Sequence, residues 1–171
     1  MMLAGFRETS LPREAARAAR LDIEEFHARY CAVLDAGRIE DWPQFFTEDA
    51  VYRITGRENA DSGLPVGLVY CEGLGMIHDR AFAIAHTAMF APRYLLHQVT
   101  NIRILALEGE IVAAQSNYLV LQTLVDERTT IHQAGRYFDR FVRAGGGLLL
   151  LKERHCVYDT LLIDNSLVLP V

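Results

Sequence analysis

The sequence predicts an α+β fold in which helices come first and a long antiparallel meander follows. Three observations carry that reading. After Pro92 the chain runs through four long stretches rich in β-branched, aromatic and alternating residues: "LHQVTNIRILAL", "EIVAAQSNYLVLQTLV", "TTIHQAGRYFDRFVRA" and "LLLLKERHCVYDTLLI". The short connections "EG", "DER" and "AGGG" separate them in the manner of hairpins. Before Pro92, apolar residues recur at helical spacing instead. Strands joined by hairpins form one sheet, and amphipathic helices must bury their apolar stripe, so the helices are expected on one face of a strongly curved sheet.

The elements follow in order. Ser10 or Thr9 is placed to cap a first helix, with Pro12 in its first turn, where the missing N–H costs nothing. Residues 1–9 are expected to fray. Ile23, Phe26, Tyr30, Val33 and Leu34 form the apolar stripe, and Gly37 is a natural stop. A second, short helix is predicted over Asp41–Phe46, capped by Asp41 with Pro43 in its first turn. "AVYRIT" (50–55) alternates as a strand does, and "GRENADSGLPVG" has the composition of a loop. A third helix is predicted over 73–90, ended by Pro92. Within the meander, Gly135 is a candidate bulge or kink.

A chain of 171 residues is expected to be a single domain spanning 1–171, large enough to bury a core without staples. Hydrophobic residues make up 51% and charged residues 23%, the balance of a globular protein. The net charge is −5, and the basic residues are scattered with no Lys/Arg run, which argues against nucleic acid or an anionic membrane as main partner. The longest apolar run, "GGGLLLL", is far short of a membrane span. The amino terminus shows no apolar segment behind a basic start, and the three cysteines, Cys31, Cys71 and Cys156, are odd in number at unrelated spacings. A reduced cytoplasmic setting is the expectation.

The residues also support a family resemblance. "DWPQFFTEDAVYRI", "RENADSGLPVGLVYCEGLGMIHDR", "HQVTNIRI", "AGRYFDRFVR", "LLLKERHCVYDT" and the terminal "NSLVLP" resemble, in order and spacing, the small (beta) subunit of bacterial aromatic-ring-hydroxylating oxygenases, the Rieske non-haem iron dioxygenases. The resemblance runs from about residue 20 to the end. The loop "ENADSGLP" is most similar to small subunits that serve monocyclic aromatic acids, of the salicylate 5-hydroxylase and terephthalate dioxygenase kind. It implies the NTF2-like (cystatin-like, SnoaL-like) fold: a cone-shaped, curved, mixed or antiparallel sheet with N-terminal helices on its concave face. It further implies a non-catalytic structural role beside a large (alpha) subunit, in a hexamer of three large and three small chains. The Rieske 2Fe-2S cluster and the mononuclear Fe(II) are then expected on that alpha subunit, fed by NAD(P)H through a reductase.

The residues agree with that division of labour. A Rieske cluster takes Cys-x-His and Cys-x-x-His pairs, and none of the three cysteines is followed by His at either spacing. His155–Cys156 is adjacent and reversed, and on a strand those side chains point to opposite faces. A mononuclear iron needs two His and a carboxylate at one point. His78 and His86, eight apart, would diverge by roughly a fifth of a turn and stand about 12 Å apart on a helix, and His27, His97, His132 and His155 lie on separate elements. No catalytic, cofactor-binding or metal-binding residue is therefore expected here.

The competing expectation is a self-contained cyclase, dehydratase or isomerase that uses acid–base residues in the cone cavity. Its candidates are Tyr52, Asn117, His132, Tyr137, Asp139, Glu153 and His155. Strand parity places His132 and Arg136 on one face, with Gln133, Tyr137 and Asp139 on the other. Glu153, His155 and Asp159 share a face, where a Glu–His pair would poise a base; "KERH" more commonly makes cross-strand ion pairs or an interface. A pure scaffold or binding module akin to transport factors is a third reading. Trp42, Phe45 and Phe46 are expected in the core, as a clasp rather than a substrate wall. The apolar tail "LLIDNSLVLPV" must pack on its own sheet or against a partner, and with the loop at 56–66 it is expected to reach the large subunit.

Overall fold

The computed structural model describes residues 10–160, 162 and 167–171. The segment 1–9, expected to fray, lies outside the described residues. Helix α1 spans Arg13–Asp35 and buries the expected stripe, Ile23, Phe26, Tyr30, Val33 and Leu34. Its start differs from expectation: Pro12 takes the N-cap position and, among the described residues, no side chain caps the first turn, so a Ser10 cap is not made; Thr9 lies outside the described residues. Its end is as expected, with Gly37 N–H donating to Leu34 O (3.0 Å) and Arg38 N–H to Val33 O (3.0 Å).

The second helix is a 3-10 turn over Ile39–Phe45, two residues earlier than predicted and not capped by Asp41, whose carboxylate instead accepts from Arg38 Nε at 2.7 Å. Trp42, Phe45 and Phe46 are buried, as the clasp reading requires. Trp42 meets Phe46 edge-on at 5.1 Å, Phe45 meets Phe26 at 5.6 Å, and the indole N–H donates to Tyr30 Oη at 2.9 Å. Strand β1 then runs Phe46–Gly56. The stretch read as a plain loop contains helix α2, Arg57–Asp61, and is followed by a short strand β2, Val69–Glu72, which the sequence reading did not place. Helix α3 spans Gly73–His86 and stops short of residue 90. Thr87 rather than Pro92 ends it: its hydroxyl (2.8 Å) and its N–H (2.9 Å) both turn back to Ala83 O.

The meander is β3 (Arg93–Glu108), β4 (Ile111–Leu124), β5 (Thr130–Arg143) and β6 (Leu149–Tyr158). The sheet order is β2-β1-β6-β5-β4-β3, antiparallel throughout except that β1 lies parallel to β6. Period-2 burial along β4 gives the sheet one buried and one half-exposed face. Bulges interrupt the ladders at 100–103 and 104–106 of β3, beside Val120/Leu121 and beside Arg140/Phe141, and they bend the strands around the helices. Gly135 is not one of them, since it keeps register with Tyr118 and Tyr158. A Cβ there would meet Val157 O at 2.2 Å and Tyr158 Cα at 2.8 Å, so Gly135 permits a close approach rather than an extra residue. The result is the expected α+β cone, with a mixed sheet curled around α1, α3 and the 3-10 turn.

Of the two expectations for the tail, packing within its own chain is the one observed. Leu167, Val168 and Leu169 pack on the core and Val171 is fully buried within this chain's own cone. Arg80 Nη2 donates to Val168 O (3.0 Å), and the Tyr30 and Tyr52 hydroxyls each donate to Val171 O (3.2 Å). Residues 161 and 163–166 of the tail lie outside the described residues. Among the described residues no helix is long and apolar enough to cross a membrane.

Candidate functional site

The sheet sorts the seven candidate acid–base residues onto two faces. Tyr52, Tyr137 and Asp139 point into the cone; Asn117, Glu153 and His155 lie on the other face. His132 is buried at the β4–β5 bulge. Glu153 does not poise His155: its carboxylate accepts from Arg53 Nη2 at 3.1 Å. "KER" instead forms cross-strand pairs, Lys152 with Asp49, Glu153 with Arg53 and Arg154 with Asp139.

The centre of the cone is built on a residue the sequence reading left aside, Arg154, at 0% exposure. Its Nε and Nη2 donate to the two oxygens of Asp139 at 2.9 and 2.8 Å, a bidentate pair. Its guanidinium carbon lies 4.4 Å from the Tyr30 ring centre and 4.1 Å from that of Tyr137, so aromatic faces flank the cation. Tyr137 stacks in turn on Tyr118 at 4.3 Å, and Tyr118 donates to Gln133 Oε1 at 2.7 Å. His27 of α1 reaches into the group, with Nδ1 3.4 Å from Arg154 Nη2 and Nε2 3.9 Å from Asp139 Oδ2.

Electrostatics follow from the burial. Desolvation, then Arg154, holds His27 well below its usual range, so the ring is neutral. Desolvation lifts the phenols of Tyr52, Tyr118 and Tyr137 well above theirs. Burial works against the guanidinium, but Asp139 and the flanking tyrosines keep it charged. A second interior pair was also missed. His97 Nδ1 sits 2.6 Å from Asp35 Oδ1, and the same carboxylate accepts the His97 backbone N–H at 3.1 Å. The signal for Arg154 was available: it alternates with Glu153 and His155 and so shares the inward face of β6 with Cys156, opposite the inward Asp139.

Among the described residues the donors are not arranged as a Rieske or mononuclear iron centre. Cys31, Cys71 and Cys156 are separate free cysteines, and burial pushes the Cys31 thiol up to about 11 and raises those of the other two. Among the described residues no three His, Cys, Asp or Glu side chains are grouped to hold a metal.

This curled sheet, closed over helices around a buried polar centre, is an NTF2-like cone. A family model for the ring-hydroxylating beta subunit matches residues 29–165. The anthranilate 1,2-dioxygenase small subunit of Burkholderia cepacia is 37% identical over 143 residues, which is 84% of this chain and 88% of that one. Subunit beta 2 of the terminal oxygenase component of terephthalate 1,2-dioxygenase from Comamonas is 29% identical over 88% of this chain and 97% of that one. A crystal structure assigned as the beta subunit of an aromatic-ring-hydroxylating dioxygenase of Novosphingobium aromaticivorans superposes with a TM-score of 0.82 at 39% identity, covering 91% of this chain and 98% of that one. The chain belongs to the ring-hydroxylating beta subunit family.

Proposed function

We propose that this chain is the non-catalytic small subunit of a multicomponent aromatic-ring-hydroxylating oxygenase, and that it seats a large subunit carrying the Rieske cluster and the mononuclear iron. The carrying observation is the cone interior. Where a self-contained enzyme needs a cavity, this chain puts the Arg154–Asp139 pair, a stack of tyrosines and its own residues 167–171. The relatives act on anthranilate and terephthalate, by their names, and a monocyclic aromatic acid is the substrate class proposed for the assembled enzyme. Three small and three large chains, in the cytoplasm and reduced from NAD(P)H through a reductase, complete the proposal.

The acid–base reading has one observation on its side, His97 oriented by Asp35, with its Nε2 left without a hydrogen-bond partner. One experiment separates the two. The small subunit is purified alone and co-expressed with its large subunit, and iron content, mass and turnover are measured. An iron-free small subunit, a hexameric complex, and ring hydroxylation only by the complex are expected. Turnover of a small ketone or alcohol by the isolated chain, or iron bound to it, overturns the proposal.

A further inference from the structure

A cavity of about 550 Å³ opens on the outer face of the sheet, opposite the Arg154 face, where Arg53, Thr55, Leu64, Val69, Tyr70 and His155 meet. His155 is 7% exposed, and neither of its ring nitrogens has a hydrogen-bond partner. Arg53 uses Nη2 on Glu153 at 3.1 Å, while its Nε is buried without a partner. Buried polar atoms without partners are costly, so three of them on two residues that line one concavity mark a place built to receive a polar group.

The chemistry of that group follows from charge. Glu153 already balances Arg53, and burial followed by Arg53 pushes His155 down to about 4, so the imidazole is neutral at working pH. The cavity therefore carries no net charge and offers two N–H donors together with one imidazole lone pair. A carboxylate would face that lone pair, and an ammonium would face the donors. An amide, with a C=O and an N–H, satisfies both.

The surround indicates a macromolecule. Leu64, Val66, Leu68 and Tyr70 are each more than half exposed. The loop that carries them is held by its own hydrogen bonds: Asn59 Nδ2 to Val66 O (3.2 Å), Leu64 N–H to Asn59 O (2.9 Å) and Leu68 N–H to Ile54 O (2.8 Å). Its apolar side chains thus face outward on a preformed backbone and surround more area than one amide-sized ligand covers. A second apolar set lies elsewhere on the sheet, where Leu96, Leu121 and Ile131 align across β3, β4 and β5. The concavity beside β2, unlike that row, has the depth to take a protruding segment of a different chain.

We propose that this socket receives an extended segment of the large subunit, with one main-chain or side-chain amide held by Arg53 and His155 and apolar side chains resting on Leu64, Val66 and Tyr70. The proposal rests on the subunit reading above. The test is co-expression of the tagged chain with its large subunit, comparing wild type with Leu64→Asp/Val66→Asp, which alters exposed positions only, and with His155→Phe, which keeps bulk and removes both ring nitrogens. Large-subunit recovery is expected to fall by about tenfold or more, equivalent to about 1.4 kcal/mol. The mass of the isolated small subunit should stay unchanged, and amide exchange over 64–70 should slow in the wild-type complex. Full recovery by both variants overturns the socket and leaves the subunit reading standing. Lost self-association with retained large subunit assigns the patch to copies of this chain and also overturns it. A wild-type chain that captures no large subunit overturns both.

Discussion

Arg154 grips Asp139 through two parallel hydrogen bonds, 2.9 and 2.8 Å, at a point where neither side chain touches water. Breaking such a pair strands a charge, and the expected cost is about 3–5 kcal/mol for Asp139→Leu or Arg154→Met alone. The double variant Asp139→Leu/Arg154→Met should recover most of that loss, because no bare charge remains. Urea unfolding of the three variants checks this; additive losses would show that the pair is not coupled.

Gly135 and Gly75 make a matched test of backbone approach. Alanine at 135 would drive its Cβ into Val157 O and Tyr158 Cα, at 2.2 and 2.8 Å, whereas alanine at 75 meets nothing within 4 Å. Gly135→Ala should cost about 3 kcal/mol or more. Gly75→Ala, in α3, should stabilise by up to about 1 kcal/mol. Thermal melts report both signs.

Acid should destabilise the chain through its buried imidazoles. His155 is lowered from 6.5 to about 4 and His27 is lowered well below 6.5, so between those values the unfolded chain binds protons that the folded chain refuses. Stability is complete above about 6.5 and falls as the pH drops toward about 4. Unfolding free energies measured from pH 7.5 to pH 4.5 should slope in that sense, and His155→Phe should flatten the slope.

Deleting residues 167–171 should act on folding before assembly. Those residues cover the core, and Val171 accepts from Tyr30 and Tyr52. Losing the fully buried Val171 side chain alone corresponds to about 1.5–3 kcal/mol, and the partly buried Leu167, Val168 and Leu169 add to it. The melting temperature of the isolated small subunit should drop sharply. An unchanged melt with lost large-subunit binding would instead restore the tail to an interface role.

The four meander strands and α1 were legible because each repeats a periodic pattern over ten residues or more, long enough for local preference to agree with the fold. The four-residue β2 and five-residue α2 were not, since a Gly/Pro-bearing stretch that short takes its conformation from what it packs on. The parallel seat of β1 beside β6 joins residues about as far apart in the chain as Arg53 and Glu153, with |i−j| of 100, and no local pattern encodes it. Alternation correctly put Gln133, Tyr137 and Asp139 on one face, which the structure shows to be the buried one. Arg154 escaped notice because a charged residue is read as outward unless its partner on the next strand is considered with it.

That parallel seat also dictates an order of events during synthesis. β1 emerges lacking its inner neighbour, because β6 follows it by about 100 residues along the chain. Until β6 arrives the Trp42–Tyr52 side of the nascent chain has no finished sheet to close against, a long-lived sticky surface that a chaperone is suited to shield.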